Sequence, residues 1–387
     1  MNFRIFRTRT NAALAVAATV TVALSSCAVT PGGDPADGGD GGDTLNVVAT
    51  TSQVGDFVSV IAGTDVRLTT LLSAGASAHH FDPSPEQLLA LADADVLVVN
   101  GADLEGFVAG AVEASGFTGR TIVAADGVDL ALAREITAES GEADATADDH
   151  AHDDHGTDDH AHDDHGTDSP AETNEAETHD HDHGDLNPHL WTSPAIARGM
   201  VAEIASGLAA ADPARATEFQ ERAADYDARL AELDEWIGAQ FAAVPEQDRV
   251  FVSGHDALLY YLHDYDIEFV GALLPSFEDN AEPSAAQLDE LIEAIREHRV
   301  RAIFAESSIN PKLAATVAKE TGAAIISGDD ALFVDALGAP GSGAETYLGA
   351  TVHNTRVILD AWGVRPEALP AGLETALETA PTAGAGR

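Results

Sequence analysis

Cysteine is almost absent from this chain of 387 residues: Cys27 is the only one, so no disulfide can form within it. Positive charge is scarce too. Nineteen Lys and Arg face 66 Asp and Glu, a formal net charge of −47 at pH 7, which makes nucleic acid and anionic lipid poor partners. The apolar run at 12–24 falls short of the roughly 20 residues that a membrane-spanning helix needs.

That run instead has the layout of a secretory signal. Arg4, Arg7 and Arg9 precede it, and LSSC at 24–27 follows it. The last four residues resemble the lipobox of bacterial lipoproteins, in which the cysteine becomes the first mature residue and carries lipid. Residues 1–26 are therefore expected to be a signal peptide. Cys27 is the expected lipidation site, and 27–43, dominated by Gly and Asp, is a tether with no core to bury a thiol. The expected location is the outer face of the cytoplasmic membrane.

What the chain has in excess is histidine beside acid. Between 142 and 185 lie nine of its sixteen histidines: His150, His152, His155, His160, His162, His165, His179, His181 and His183. The ten residues DDHAHDDHGT at 148–157 recur unchanged at 158–167. Imidazole and carboxylate together are donors for divalent metal, so the tract reads as an accessory metal-binding loop. It holds no Val, Ile, Phe, Tyr, Trp, Lys or Arg, so the expectation is a disordered, self-repelling insertion. HAHDDH also matches a hydrolase pattern, HxHxDH, but no apolar strand precedes it to fix the ligands.

Elsewhere, apolar runs alternate with helical patterns, an α/β organisation with mostly parallel strands. Candidate strands fall at 45–49, 66–72, 96–100 and 121–124, then at 249–253, 267–270, 301–305 and 323–327. Ser84 with Gln87, and Ser284 with Gln287, form capping boxes that start helices. Asn310 and Pro311 open another helix, which should stop at Gly322. Between the two groups of strands, Phe219, Ala223, Tyr226, Leu230, Leu233, Ile237 and Phe241 are spaced by three or four, which predicts one long helix. Asp212 and Pro213 are its expected start, and at 1.5 Å per residue it is roughly 45 Å long. A coiled-coil dimer fits less well, since the pattern lasts barely four heptads and lacks e/g charge order. The predicted divisions are an N-terminal lobe at 44–211, a linking helix at 212–243, a C-terminal lobe at 244–375 and a flexible tail at 376–387.

Four segments outside the tract carry candidate ligands: GASAHHFDPSPEQ with His79, LNPHLWTSP with His189, VFVSGHDALLYYL with His255 and DDALFVDALG with Asp335. His79, His255 and Asp335 follow predicted parallel strands, where open α/β sheets place ligands. Three imidazoles and a carboxylate form a donor set that zinc takes tetrahedrally, in a cleft between lobes. His80 is adjacent to His79, but neighbouring side chains in extended chain point in opposite directions. His263, His298 and His353 sit on predicted helices and are assigned to packing, capping or solvent.

The segments GASAHHFDPSP, ADADVLVVNGADLEGF, NPHLWTSP, SGHDALLYYL, AEPSAAQLDELIEAI, INPKLAATVAKETGA and FVDALGAPGSGAETYLGATVHNT resemble, in order, the zinc and manganese substrate-binding lipoproteins of bacterial ABC importers. The resemblance implies that His79, His189, His255 and Asp335 are the metal ligands, and that two lobes are joined by one long rigid helix. It also implies a non-enzymatic role, in which Zn²⁺ is captured and delivered to an ABC permease with its ATPase. Ser77 and Ala78 stand where family members often have Asp-Pro, so the first ligand loop departs from the family's pattern. A manganese or iron member of the same family is the nearest alternative, although manganese prefers more oxygen donors and manganese-type members tend to have a carboxylate at the place of His255. A surface zinc buffer or adhesin is a further alternative. A zinc hydrolase would need an open fourth position, which Asp335 closes. A monomer and a metal-donating chaperone complete the expected partners.

Overall fold

A computed structural model describes residues 44–79, 81–140, 186–274, 276, 282–306 and 312–379. Cys27, His80, the histidine tract and the end of the chain from 380 lie outside these residues. In the first half, β1 (Leu45–Ala49) leads into α1 (Ser52–Ala62), followed by β2 (Val66–Thr70), α2 (Pro85–Ala92), β3 (Val96–Val99), α3 (Val108–Ser115), β4 (Arg120–Val123) and α4 (Leu130–Glu139). The four strands form one parallel sheet in the order β2-β1-β3-β4. β3, the sequence VLVV, is buried at every position, as expected of a strand covered on both faces. Because the order reverses between β1 and β3, the crevice beyond their C-terminal ends is where this kind of sheet places a ligand.

Two helices lead from the first half to the second, and only the later one packs on both. α5 (Pro194–Ala211) was not expected from the sequence; Ser193 caps it, accepting from the Ile196 N–H at 3.1 Å, and Pro194 starts it. α6 (Ala216–Ala242) is the predicted long helix, and all seven of its stripe residues are buried, together with Trp236 and Gln240. Its start differs from expectation: Asp212 ends α5 and pairs with Arg215, which stands at the N-cap of α6. α6 packs against α1 and α5 on one side of the chain's midpoint and against the later helices α10 and α11 on the other.

The second half comprises β5 (Val250–Ser253), α7 (Leu259–Asp264), β6 (Glu268–Ala272), α8 (Ala285–Glu297), β7 (Ala302–Phe304), α9 (Lys312–Thr321), β8 (Ala324–Ile326), α10 (Tyr347–Ala361) and α11 (Ala371–Thr379). Both capping boxes form, at Ser84 and Ser284, and α9 stops at Gly322, whose φ of 81° suits glycine. The expected four-stranded sheet appears as two parallel pairs, β5-β6 and β7-β8. β5 and β7 lie side by side with Phe251 stacked on Phe304 at 4.6 Å, so side-chain packing rather than a ladder joins the pairs. α11 continues to Thr379, past the tail boundary drawn at 376. No helix among the described residues is long and apolar enough to cross a membrane.

Asp56 of α1 ties the halves together, accepting from the Tyr347 N–H at the first turn of α10 at 2.9 Å. Burial raises its pKa from 3.8 to about 6, outweighing that hydrogen bond. The folded state therefore holds a proton that the unfolded chain has already released. This contribution is complete below about pH 4 and is lost as pH rises through about 6. Asp56→Asn should flatten the wild-type decline across that window and gain about 1–3 kcal/mol relative to wild type at pH 7. Urea unfolding of metal-free protein from pH 4 to 7 measures both.

Candidate metal centre

His79, His189, His255 and Asp335 come together, with one donor atom from each inside a group whose members all lie within 4.8 Å of one another. His79 Nε2 is 3.1 Å from His189 Nε2. Asp335 Oδ1 is 3.4 Å from His189 Nε2 and 3.3 Å from His255 Nε2. The edge of a tetrahedron with metal–ligand bonds of about 2.0–2.1 Å is about 3.3 Å, so three of the separations already have the spacing that a tetrahedral cation imposes. This is the one such group among the described residues. His189, His255 and Asp335 are buried and His79 is partly exposed.

Each donor is presented by a different piece of chain. His79 lies in the loop after β2, where Ser77 Oγ accepts from the His79 N–H at 3.2 Å and Gln87 donates to the Leu71 carbonyl at 2.6 Å. The serine that departs from the family's Asp-Pro thus shapes the first ligand loop. His189 opens a short 3₁₀ turn, Leu190–Thr192. Behind it, Asn100 donates to the Pro188 carbonyl at 3.2 Å. The Asn100 backbone is in turn held by the buried Glu105, which also accepts from Gly101 and Thr50. Burial pushes the Glu105 carboxyl up despite those bonds. His255 follows β5, and Asp335 lies in an irregular segment after β8 whose Phe333 is gripped at both N–H and carbonyl by Asn354 of α10, at 2.9 and 2.7 Å.

Two residues that sequence reasoning did not single out stand behind the imidazoles. Asn187 Oδ1 lies 2.8 Å from His189 Nδ1 and also accepts from the His189 N–H at 3.1 Å. With Nδ1 as donor, Nε2 keeps its lone pair for a metal. The same Asn187 donates to the Asp256 carbonyl at 2.6 Å, so one amide sets both the His189 ring and the chain next to His255. Glu306 stands behind His255 as a charge partner, beyond hydrogen-bond distance of the ring. Its Oε1 accepts from the Gly254 N–H at 3.1 Å and lies 3.7 Å from His255 Nδ1. Asn187 stood in the NPH motif and Glu306 just past a predicted strand; the signal was present but only tertiary placement gives it meaning.

The two buried imidazoles differ electrostatically. Burial lowers the His189 pKa, overcoming the attraction of Asp335, and keeps that ring neutral. Burial also opposes charge on His255, but Asp335 and Glu306 together outweigh it and raise its pKa well above the ordinary value. Asp335 resists its own burial through His255 and His189 and stays well below the usual carboxylate range. The remaining described histidines are elsewhere: His263 beside Asp264 at 3.2 Å, His298 beside Glu268 at 2.9 Å and His353 against the Ala331 carbonyl at 3.1 Å.

Comparison with known proteins gives a concordant result. The sequence pattern of the family described as "ZnuA: Zinc-uptake complex component A periplasmic" matches residues 47–361. The chain is 27% identical to the manganese-binding lipoprotein MntA of Bacillus subtilis over 344 residues, which is 88% of this chain and 95% of the relative. It is 28% identical to the zinc-binding lipoprotein AdcA of Streptococcus pneumoniae R6 over 284 residues, 72% of this chain and 48% of the longer relative. Among solved structures, the periplasmic zinc-binding protein TroA of Treponema pallidum superposes with a TM-score of 0.64 at 23% identity, covering 82% of this chain and 99% of that one. That likeness establishes the two-lobe fold.

Replacing Asn187 by Leu frees the His189 ring to flip and to take the wrong tautomer. Metal affinity at the site should fall about 10- to 100-fold, the usual cost of losing such a partner. Competition against a chelator of known affinity checks this, and an unchanged affinity would remove Asn187 from the site.

Proposed function

The chain belongs to the ZnuA family of periplasmic zinc-uptake proteins, and from that premise we propose that it captures Zn²⁺ between its two halves and delivers it to an ABC permease. The observation that carries the choice of zinc is the donor set: three imidazole nitrogens and one carboxylate oxygen at near-tetrahedral spacing. Manganese is the second reading, favoured by the extent of the match to MntA. Its preference for oxygen donors sets it against this site, which offers one carboxylate.

Binding proceeds by ligand exchange. Water leaves the ion as His79, the partly exposed donor, and the three buried donors close on it in turn. Asp335 occupies the fourth position that a hydrolytic zinc centre would leave to water, which supports carriage rather than catalysis. The tract at 142–185, ending just before His189, serves as a collector that raises the local concentration of ions. Cys27 carries the lipid that keeps a monomeric receptor at the membrane beside its permease and ATPase.

Titration of the tract-deleted protein with Zn²⁺ and Mn²⁺ tests the reading. One tight zinc site is expected, weakened by at least 100-fold, about 3 kcal/mol, in His189→Ala, His255→Ala or Asp335→Ala. A preference for manganese, or indifference to all of these changes and to His79→Ala, would reject it. A second outcome concerns protons. Zinc needs neutral His255, whose proton is held by Asp335 and Glu306 in the metal-free protein, so binding at neutral pH should release about one proton. Affinity should climb with pH until that proton is gone. Calorimetry in two buffers of different ionisation enthalpy counts it, and no buffer dependence would contradict the assignment.

A further inference from the structure

The backbone on either side of Asp335 is not held by its own half alone. Val334 contributes its carbonyl to two donors from the first half, Gln53 Nε2 at 2.7 Å and Trp191 Nε1 at 3.1 Å. On the other side of Asp335, the Leu337 N–H donates to Ser52 Oγ at 2.9 Å. Ser52 Oγ in turn donates to Gln53 Oε1 at 3.1 Å. These bonds form a closed circuit, from the Leu337 N–H through the Ser52 hydroxyl and the Gln53 amide to the Val334 carbonyl. Asp335 is enclosed by the circuit.

Gln53 and Ser52 occupy the first turn of α1, capped by Thr51 immediately beyond β1, so they stand at the reversal of the sheet. Gln53 is fully buried, and a buried amide is costly unless both its ends are satisfied. Its NH₂ is committed to a carbonyl 281 residues away. Trp191 is anchored from the far side as well, since its own carbonyl accepts from the Tyr347 hydroxyl of α10 at 2.6 Å. Asp335 therefore hangs between two supports, Asn354 on Phe333 from the second half and the Ser52–Gln53–Trp191 group from the first. Separating the halves would pull these supports apart.

We infer that Ser52 and Gln53 are positioning residues, a clasp that sets the Asp335 carboxylate against His189 and His255 only while the halves are in contact, and so couples metal retention to closure. This rests on the reading of Asp335 as a metal ligand. A partner that opens the cleft would release the ion by breaking the clasp, with no need to protonate a ligand.

Equilibrium competition for zinc between the full chain and a chelator tests this, reading the tightest site in wild type, Ser52→Ala, Ser52→Thr, Gln53→Met, Asp335→Ala and the Gln53→Met/Asp335→Ala pair. Ser52→Ala and Gln53→Met should each weaken the site about tenfold, and Ser52→Thr, which keeps the hydroxyl, should stay within about threefold of wild type. With Asp335 already replaced, Gln53→Met should cost less than threefold, because its effect passes through that carboxylate. Wild-type affinity in both single variants overturns the clasp, as does the same loss with and without Asp335, which would mark a general structural role. Ser52→Ala removes one partly exposed hydroxyl and carries the test by itself if Gln53→Met does not fold. A wild-type chain whose tight site is untouched by Asp335→Ala defeats the ligand reading, and the clasp with it; a tight site that needs Asp335 but ignores Ser52 and Gln53 defeats the clasp alone.

Discussion

A carboxylate with 2% of its residue surface exposed cannot remain charged in a protein interior without compensation, and Asp335 finds it in imidazoles supplied by two other segments. That requirement organises the rest of the molecule. His189 must be delivered from the first half and His255 from the second, each with its Nε2 turned towards the same oxygen. The groups behind the rings follow from this, a neutral amide bonded to His189 and a carboxylate 3.7 Å from His255. Neither partner could be exchanged for the other without altering the charge of the ring it holds.

Parallel sheets make the convergence possible. Every strand of the first sheet points the same way, so the loops after β1, β2 and β3 emerge at one edge. From that edge come Gln53, His79 and the Asn100 contact that steadies the His189 segment. In the second half, the loops after β5, β7 and β8 supply His255, Glu306 and Asp335. α6 gives both halves a common apolar stripe, and the largest core cluster runs through it from β1 to α11. The site is thus suspended between the first sheet and the two strand pairs of the second half.

What the sequence revealed follows the range of the forces involved. Strand positions, capping boxes and the α6 stripe are set by neighbours within a few residues, and these match the structure closely. α5 escaped because its Ala- and Gly-rich sequence, PAIARGMVAEIASGLAAA, shows little contrast between faces. The start of α6 shifted because Asp212, a good N-cap in isolation, instead ends α5 and pairs with Arg215. The four donors were legible as motif residues, whereas Asn187, Glu306, Ser52 and Gln53 were not. Their significance lies in partners up to 285 residues away, and no local pattern encodes that distance.

Charge balance bears on which ion the centre suits. Around the donors stand two carboxylates, Asp335 in direct reach and Glu306 one imidazole further out, both almost fully buried. Without metal, the positive charge they favour is the proton on His255. A divalent cation that displaces the proton supplies the positive charge that the buried carboxylate of Asp335 requires. A carboxylate in place of His255 would add a negative charge and the oxygen donor that manganese prefers. The imidazole at position 255 therefore acts on the choice of ion through ligand type, a nitrogen donor where manganese prefers oxygen, whereas the charge balance suits any divalent cation.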